Sequence, residues 1–156
     1  MQIKIRAAIS SDGPQLAKFN ALAFARNPEF DPDIIVDWVN SDSALDYFNR
    51  IAASDNYCIL ALSDNQIIGY LSTESASHVH RKSKYLEIVN LGVHPDCRRQ
   101  GVANLLLRHC EKWAKEQGFT RLELSCYYKN SGALAYYGQA GFDPMNLVLE
   151  KTLEEF

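Results

Sequence analysis

The chain has 156 residues, 47% of them apolar and 22% charged, and carries a net charge of −3 at pH 7. That is one domain's length, enough to bury a core without staples, and the mild acidity argues against nucleic acid, whose binding calls for a basic stripe. No apolar run reaches the 18 residues of a membrane span, the N-terminus lacks a signal-like apolar region, and Cys58, Cys97, Cys110 and Cys126 form no C-x-x-C pair; together these predict a cytoplasmic domain with reduced thiols, no membrane partner and no metal site.

Residues 2–9, QIKIRAAI, alternate as a half-buried strand does. In SSDGPQLAKFNALAFAR, Ser10 or Ser11 can cap, Pro14 suits a first turn, and Leu16, Phe19, Leu22 and Ala23 recur at helical spacing. Residues 27–42 read as loop with a short helix around DIIVDWV. SALDYFNRIAAS is a further helix, with Leu45, Phe48 and Ile51 on one side. Residues 56–77 are two strands joined by a turn at Ser63-Asp64-Asn65-Gln66. After the polar, basic loop HVHRKSK, the run YLEIVNLGV is dense enough in apolar residues for a central strand.

A junction, RRQGVA at 98–103, turns that strand into a helix ending at Gly118, with Val102, Leu105, Leu106, His109, Trp113 and Ala114 as its expected buried stripe. TRLELSCYY is a strand, and NSGALAYYGQAG a helix capped by Asn130. NLVLEKTL alternates and is expected to close the sheet as a final strand. Strands and helices in this order, with no linker or repeat, predict one mixed α/β domain.

The junction is the most informative stretch. The first N–H groups of a helix lack intrahelical partners, the residues before Gly101 can turn their own N–H groups inward, and Arg98, Arg99 and the helix dipole add positive charge. Such a junction should hold a phosphate or pyrophosphate. Neither G-x-x-x-x-G-K-[ST] nor G-x-G-x-x-G is present.

What is present, Arg98-x-x-Gly101-x-Ala103 after LGVHPDC, resembles the acetyl-CoA loop of the GNAT superfamily of N-acetyltransferases. NSGALAYYGQAGF, with Asn130, Ala133, Tyr137, Gly141 and Phe142 in register, is similar to a second segment of that family. The resemblance is dense over about residues 57–150, and its look is nearest to ribosomal-protein-type N-terminal acetyltransferases. It implies a single α/β domain over residues 1–156: a mixed, mostly antiparallel sheet splayed at its centre, with helices on both faces. About 1–55 would wall the acceptor side and about 57–150 would form the sheet and cofactor core. It further implies acetyl-CoA as co-substrate, held by Leu91, Val93, Arg98, Arg99, Gly101, Val102, Ala103 and Asn130.

The implied reaction is direct transfer of an acetyl group to a primary amine of a small molecule or peptide, in a monomer or homodimer. The amine must lose a proton, the oxyanion needs a donor, and the leaving thiolate can take a proton. The resemblance assigns the oxyanion donor to the Val93 N–H and the acid to Tyr137. Gly92 is expected to permit the irregular backbone of a splay. Glu87 matches the family's strand glutamate; six residues before Val93, it should share that residue's side-chain parity. Tyr136 reads as packing, and His78, His80 and His94 as loop or rim residues. A non-catalytic acyl-CoA-binding module on the same fold is the other reading.

Residues 27–49 hold Glu29, Asp31, Asp33, Asp37, Asp42 and Asp46 and no lysine or arginine. The segment is either a funnel for a cationic amine or a solvated face with capping aspartates.

Overall fold

A computed structural model describes residues 1–53 and 57–155, and its frame is a five-stranded sheet in chain order. The strands are β1 (Lys4–Ala7), β2 (Cys58–Ser63), β3 (Gln66–Ala76), β4 (Tyr85–Val93) and β5 (Arg121–Leu124). Neighbours are antiparallel except β4 and β5, which are parallel. That exception follows from the connection: β4 reaches β5 through helix α4 (Val102–Glu116), and a helical crossover returns the chain in the same direction. The expected helix end at Ser54 and strand start at Asn56 lie outside the described residues.

Two cores lie on the two faces of the sheet. On one, α1 (Gly13–Ala23) and α3 (Asp42–Ala53) bury Leu16, Phe19, Phe48 and Ile51 against Leu60 and Tyr70. On the other, α4 buries Val102, Leu106 and Cys110 against Ile59, Leu71, Leu86 and Ile88. β2 contributes to both cores, which is why its sequence, CILAL, is apolar without alternation. Tyr70 is fully buried, and its hydroxyl donates to Asn20 Oδ1 at 2.5 Å. The short helix α2 (Asn27–Phe30) and a 3₁₀ turn at Val36–Asn40 carry the chain from α1 to α3.

The local signals are largely realised. Asp64 and Asn65 take left-handed backbone in a two-residue hairpin turn. Gly118, at φ +83°, ends α4: its N–H bonds Lys115 O, and that of Phe119 bonds Ala114 O, both at 3.0 Å. Two stripes rotate from their expected positions. Leu22 is 46% exposed while Ala23 is buried, and in α4 His109 is exposed while Leu107 and Cys110 face the sheet. In both helices the register is chosen by what the sheet offers, because more than one face carries apolar residues.

The expected final strand does not form. Residues 142–155 carry no strand or helix, and Leu147, Val148, Leu149 and Leu153 are exposed. The strand following α4 is likewise shorter than its apolar run, ending at Leu124. All four cysteines are free thiols; burial pushes Cys58 and Cys110 up to about 12. Among the described residues no helix is long and apolar enough to cross a membrane.

Candidate active site

The junction after β4 is a short 3₁₀ turn, Pro95–Cys97, followed by left-handed backbone at Arg99 (φ +60°) and Gly101 (φ +84°) on either side of Gln100. Such alternation curls successive N–H groups toward one side. Among the described residues, no hydrogen bond takes a backbone donor from residues 98–104; the first is Leu105 N–H to Gly101 O at 3.0 Å. No side chain caps α4, and a Cβ on Gly101 would meet nothing within 4 Å. Glycine is thus present for its left-handed φ, and the space above it is open. A run of unpaired donors at a fifteen-residue helix's positive end has the form of an anion cradle. Arg98 is not free at the rim as expected: its guanidinium donates to Ala23 O at 2.8 Å, tying the cradle to the C-terminus of α1. Arg99 remains exposed.

Beside the cradle the sheet opens. β5 pairs with β4 only from Tyr85 to Ile88, while β4 continues to Val93 against β3 alone. His94 turns its N–H toward β3, onto Ile68 O at 2.8 Å. Backbone N–H groups alternate between strand edges, so those of Val93 and Leu91 turn toward the edge that β5 has vacated. The irregularity lies at Val89 rather than at Gly92: Ser72 pairs with Asn90 and Thr73 with Ile88, so Val89 is an extra residue, a β-bulge. Gly92 is small for another reason. A Cβ there would lie 3.1 Å from the Phe24 ring and 3.3 Å from Ala23, where α1 crosses the sheet. Gly69, which the sequence reading did not single out, performs the same service for α4; a Cβ would come within 2.8 Å of Val102.

The bulge has a chemical consequence. Ile88, Leu91 and Val93 all pack on the α4 side. Glu87 therefore faces the α1 and α3 side, so the expected shared parity with Val93 is wrong. Glu87 stands in register between Glu74 of β3 and Glu123 of β5, and His78 Nε2 lies 2.8 and 2.9 Å from the two carboxylate oxygens of Glu123. Burial, then the charges of Glu123 and Glu74, push the Glu87 carboxyl above its ordinary range, with His78 opposing. Residues 74, 78 and 123 were missed as a group because only strand register brings them together; alternation along each strand was the available signal. On the same face Asn90 donates to Tyr47 Oη at 3.1 Å and Ser72 Oγ at 2.8 Å, and Trp38 meets the edge of Tyr47.

Helix α5 (Ser131–Gln139) supplies the remaining candidates. Asn130 Oδ1 accepts from the Ala133 N–H at 3.1 Å, as a cap should, which among the described residues leaves its amide nitrogen free as a donor to a ligand. Tyr136 donates to Asn104 Oδ1 at 2.9 Å, pinning α5 to the first turn of α4. Tyr137 packs edge-on to Phe142, and among the described residues its hydroxyl has no hydrogen-bond partner. Burial, with Cys126 and Tyr136 nearby, pushes its pKa up to about 12. Of the acidic segment, Asp31 accepts from Tyr127 at 3.3 Å and Glu29 pairs with Arg26 just outside it. The cap of α3 is Ser41, whose Oγ accepts from Ala44 N–H at 3.1 Å, not an aspartate.

The profile of the Acetyltransferase (GNAT) family matches residues 22–142. A mycothiol acetyltransferase of Jonesia denitrificans is 35% identical over 79 residues, which are 51% of this chain and 24% of that protein; the chain thus matches about a quarter of that relative's length. The PaiA N-acetyltransferase of Thermoplasma acidophilum, solved with coenzyme A, superposes with a TM-score of 0.76 at 18% identity over 95% of this chain and 94% of that one. An aminoglycoside acetyltransferase from an uncultured soil metagenomic sample, solved with sisomicin, superposes with a TM-score of 0.72 at 20% identity over 97% of each chain. These similarities hold at the level of the superfamily and do not carry the narrower likeness to ribosomal-protein-type enzymes. The matched residues span the cradle, the splay and α5, and the chain belongs to the Acetyltransferase (GNAT) family.

Proposed function

We propose that this chain transfers an acetyl group from acetyl-CoA directly to a primary amine, and that the acceptor is a cationic small molecule. The observation that carries this reading is the run of unpaired amides at 98–104, set beside a sheet edge into which the Leu91 and Val93 N–H groups turn. The cradle fits the pyrophosphate of acetyl-CoA: it offers backbone donors, open space over Gly101 and the exposed Arg99. Acetyl-CoA supplies an activated thioester when bound.

The chain's own groups divide the remaining work. Residues 98–104 bind the anion through their backbone N–H groups, those of Val102 and Ala103 among them, with the Asn130 amide nitrogen as a further donor; the Val102 side chain itself is buried against the sheet and does not face the ligand. The Val93 N–H donates to the oxygen on which negative charge develops. Glu87 takes the ammonium proton, directly or through a water; its carboxyl, raised by burial and by the charges of Glu123 and Glu74, is a better base than an ordinary carboxylate. A phenol with pKa about 12 transfers its proton to a thiolate only uphill, so Tyr137 acts chiefly as a hydrogen-bond donor to the leaving sulfur. The row Glu74, Glu87 and Glu123, on the side of the sheet that α1 and α3 cover, supports a cationic acceptor.

The weak acidity of Tyr137 also supports the second reading, an acyl-CoA-binding module without turnover. Thiol release from acetyl-CoA against a panel of polyamines, aminoglycosides, peptides and neutral amines separates the two. Catalysis predicts release with at least one cationic amine and loss of the acidic limb of the pH–rate curve in Glu87→Gln. Tight CoA binding with no release from any amine supports the module instead.

A further inference from the structure

The connection between β3 and β4, residues 77–84, folds over the sheet on the side where Glu87 stands. Both of its ends are held. Lys84 donates its N–H to Thr120 Oγ1 at 3.2 Å and accepts the Thr120 N–H at 2.9 Å, just before β5 begins. Near the other end His78 reaches across to β5 itself, its Nε2 2.8 and 2.9 Å from the two carboxylate oxygens of Glu123. A buried platform holds the imidazole there: it stands edge-on to Tyr85, 4.8 Å between ring centroids, and Tyr85 is 4% exposed. Arg81, whose N–H bonds His78 O at 3.0 Å, lays its guanidinium over the same Tyr85 ring at 4.5 Å.

The contact matters because of what lies beside it. Tyr85 and Glu87 alternate with Leu86 and Ile88, which pack on the α4 side, so both face the connection. Register sets Glu87 between Glu123 and Glu74, with neighbouring strands about 4.8 Å apart. Like charges directly opposite one another on a sheet are unfavourable. Glu74 is exposed to water, whereas Glu87 and Glu123 are half-buried. Among the described residues the only ion pair in this row is that of His78 with Glu123, and no cation of α1 or α3 pairs with it. Two further cations nearby are engaged elsewhere: Arg121 turns its Nε to Ser83 Oγ at 3.3 Å, and Arg81 lies on Tyr85. His80 is exposed and meets His78 edge-on, 6.2 Å between centroids.

We propose that His78 is a positioning residue for Glu87: held against both oxygens of Glu123, it cancels that carboxylate's charge and leaves Glu87 as the half-buried carboxylate of the row that takes up a proton. The consequence for turnover rests on the reading of Glu87 as the base. In the acidic range where carboxylates take up protons, an imidazole is cationic. The His78–Glu123 pair is then neutral toward Glu87. Glu123 without His78 places a negative charge beside Glu87 and raises its proton affinity; His78 without Glu123 places a positive one there and lowers it. The balance already found at Glu87 has the same sense, with burial and the two glutamates raising its carboxyl and His78 opposing them.

The signature is a pair of opposite shifts that cancel, read in two ways on the full chain. One readout is the Glu87 carboxyl followed by carbon NMR with no ligand present. The other is the acidic limb of kcat/KM, taken with acetyl-CoA and the amine of the acceptor panel that releases thiol fastest. His78→Gln keeps an N–H for Glu123 and drops the charge. It should move the NMR midpoint and the acidic limb to higher pH, with kcat/KM on that limb lowered roughly two- to fivefold, the size of one partly exposed charge pair. Glu123→Gln should move both to lower pH. The double variant, which again leaves no net charge beside Glu87, should return both to near their wild-type positions. His78→Arg, with a guanidinium that can span both oxygens of Glu123, should leave them in place. Should His78→Gln not fold, His78→Asn removes the same charge. A Glu87 midpoint unmoved by loss of the His78 charge, or a double variant further from wild type than either single one, overturns the role, because a merely structural latch gives damage that adds and does not cancel. The NMR titration needs neither acetyl-CoA nor turnover, so it decides on His78 even where no amine is acetylated. NMR midpoints that move as stated beside a rate limb that stays fixed support the hold of His78 on Glu87 and remove Glu87 as the base.

Discussion

Glu87 and Val93 stand six residues apart on β4 and on opposite faces of the sheet. An even spacing would put them on the same face; the extra residue Val89 shifts one of them across. The strand thus directs a carboxylate to the face covered by α1 and α3, while its unpaired edge, a few residues on, offers amides to the gap that β5 leaves. The proposed division of labour, a base at Glu87 and an oxyanion donor at the Val93 N–H, therefore requires the acceptor amine to approach from the α1 and α3 side and the thioester to lie along the unpaired edge of β4.

The neighbours of Glu87 set the pH at which it can act. Its carboxyl is raised first by burial and then by Glu123 and Glu74. A general base works when deprotonated, so the acidic limb of kcat/KM should lie above the ordinary glutamate value near 4.3. Removing the Glu123 charge lowers the Glu87 pKa, and Glu123→Gln should move that limb to lower pH. A pH–rate profile in which the limb stays in place or moves up refutes Glu87 as the titrating base.

At the cradle, Gly101→Asn and Gly101→Glu should part company. Asparagine tolerates the left-handed backbone that Gly101 adopts at φ +84°. Glutamate is strained there by about 1–2 kcal/mol and adds a negative charge to an anion site. Both variants should fold, since a side chain at 101 meets open space. Calorimetric titration should show CoA affinity reduced in the first and abolished in the second; unchanged affinity in a folded Gly101→Glu chain removes the loop assignment.

Tyr137→Phe keeps the ring against Phe142 and removes a hydroxyl that has no hydrogen-bond partner among the described residues. Thermal stability should barely change. Turnover should fall about 10–10³-fold, the range for one acid–base group, with CoA affinity nearly unaltered. With its pKa near 12, Tyr137 remains protonated through pH 10, so the wild-type rate should show no basic limb from this residue below that point. Full wild-type turnover in the variant would leave Tyr137 as packing.

Acid stability should depend on Asp12. Its carboxylate accepts from Arg6 at 2.7 and 2.9 Å and from the Ile9 N–H at 2.8 Å, joining β1 to the start of α1. The Arg6 hydrogen bonds hold its pKa below the ordinary range against the opposing effect of burial. The folded value is therefore the lower one. The contribution is full above the unfolded value, near 3.9, and is lost as pH falls through the folded one. Asp12→Ala should cost about 1–3 kcal/mol at neutral pH and flatten the acid end of the stability curve, as denaturant titrations at several pH values would read.

What could be read from the sequence is what local backbone chemistry decides. The cradle at 98–104, the caps at Asn130 and Gly118 and the turn at Asp64-Asn65 each depend on a few consecutive residues, and each is realised. Tertiary structure alone decided the face of Glu87, because a bulge is a mismatch between two strands and leaves no mark in the periodicity of either. It also decided the company Glu87 keeps: Glu74, His78 and Glu123 are distant in sequence and meet through register. Residues 146–153 show the same division. Alternation makes them fit to be a strand, but a strand needs an edge to bond, and within one chain the structure leaves that edge unpaired.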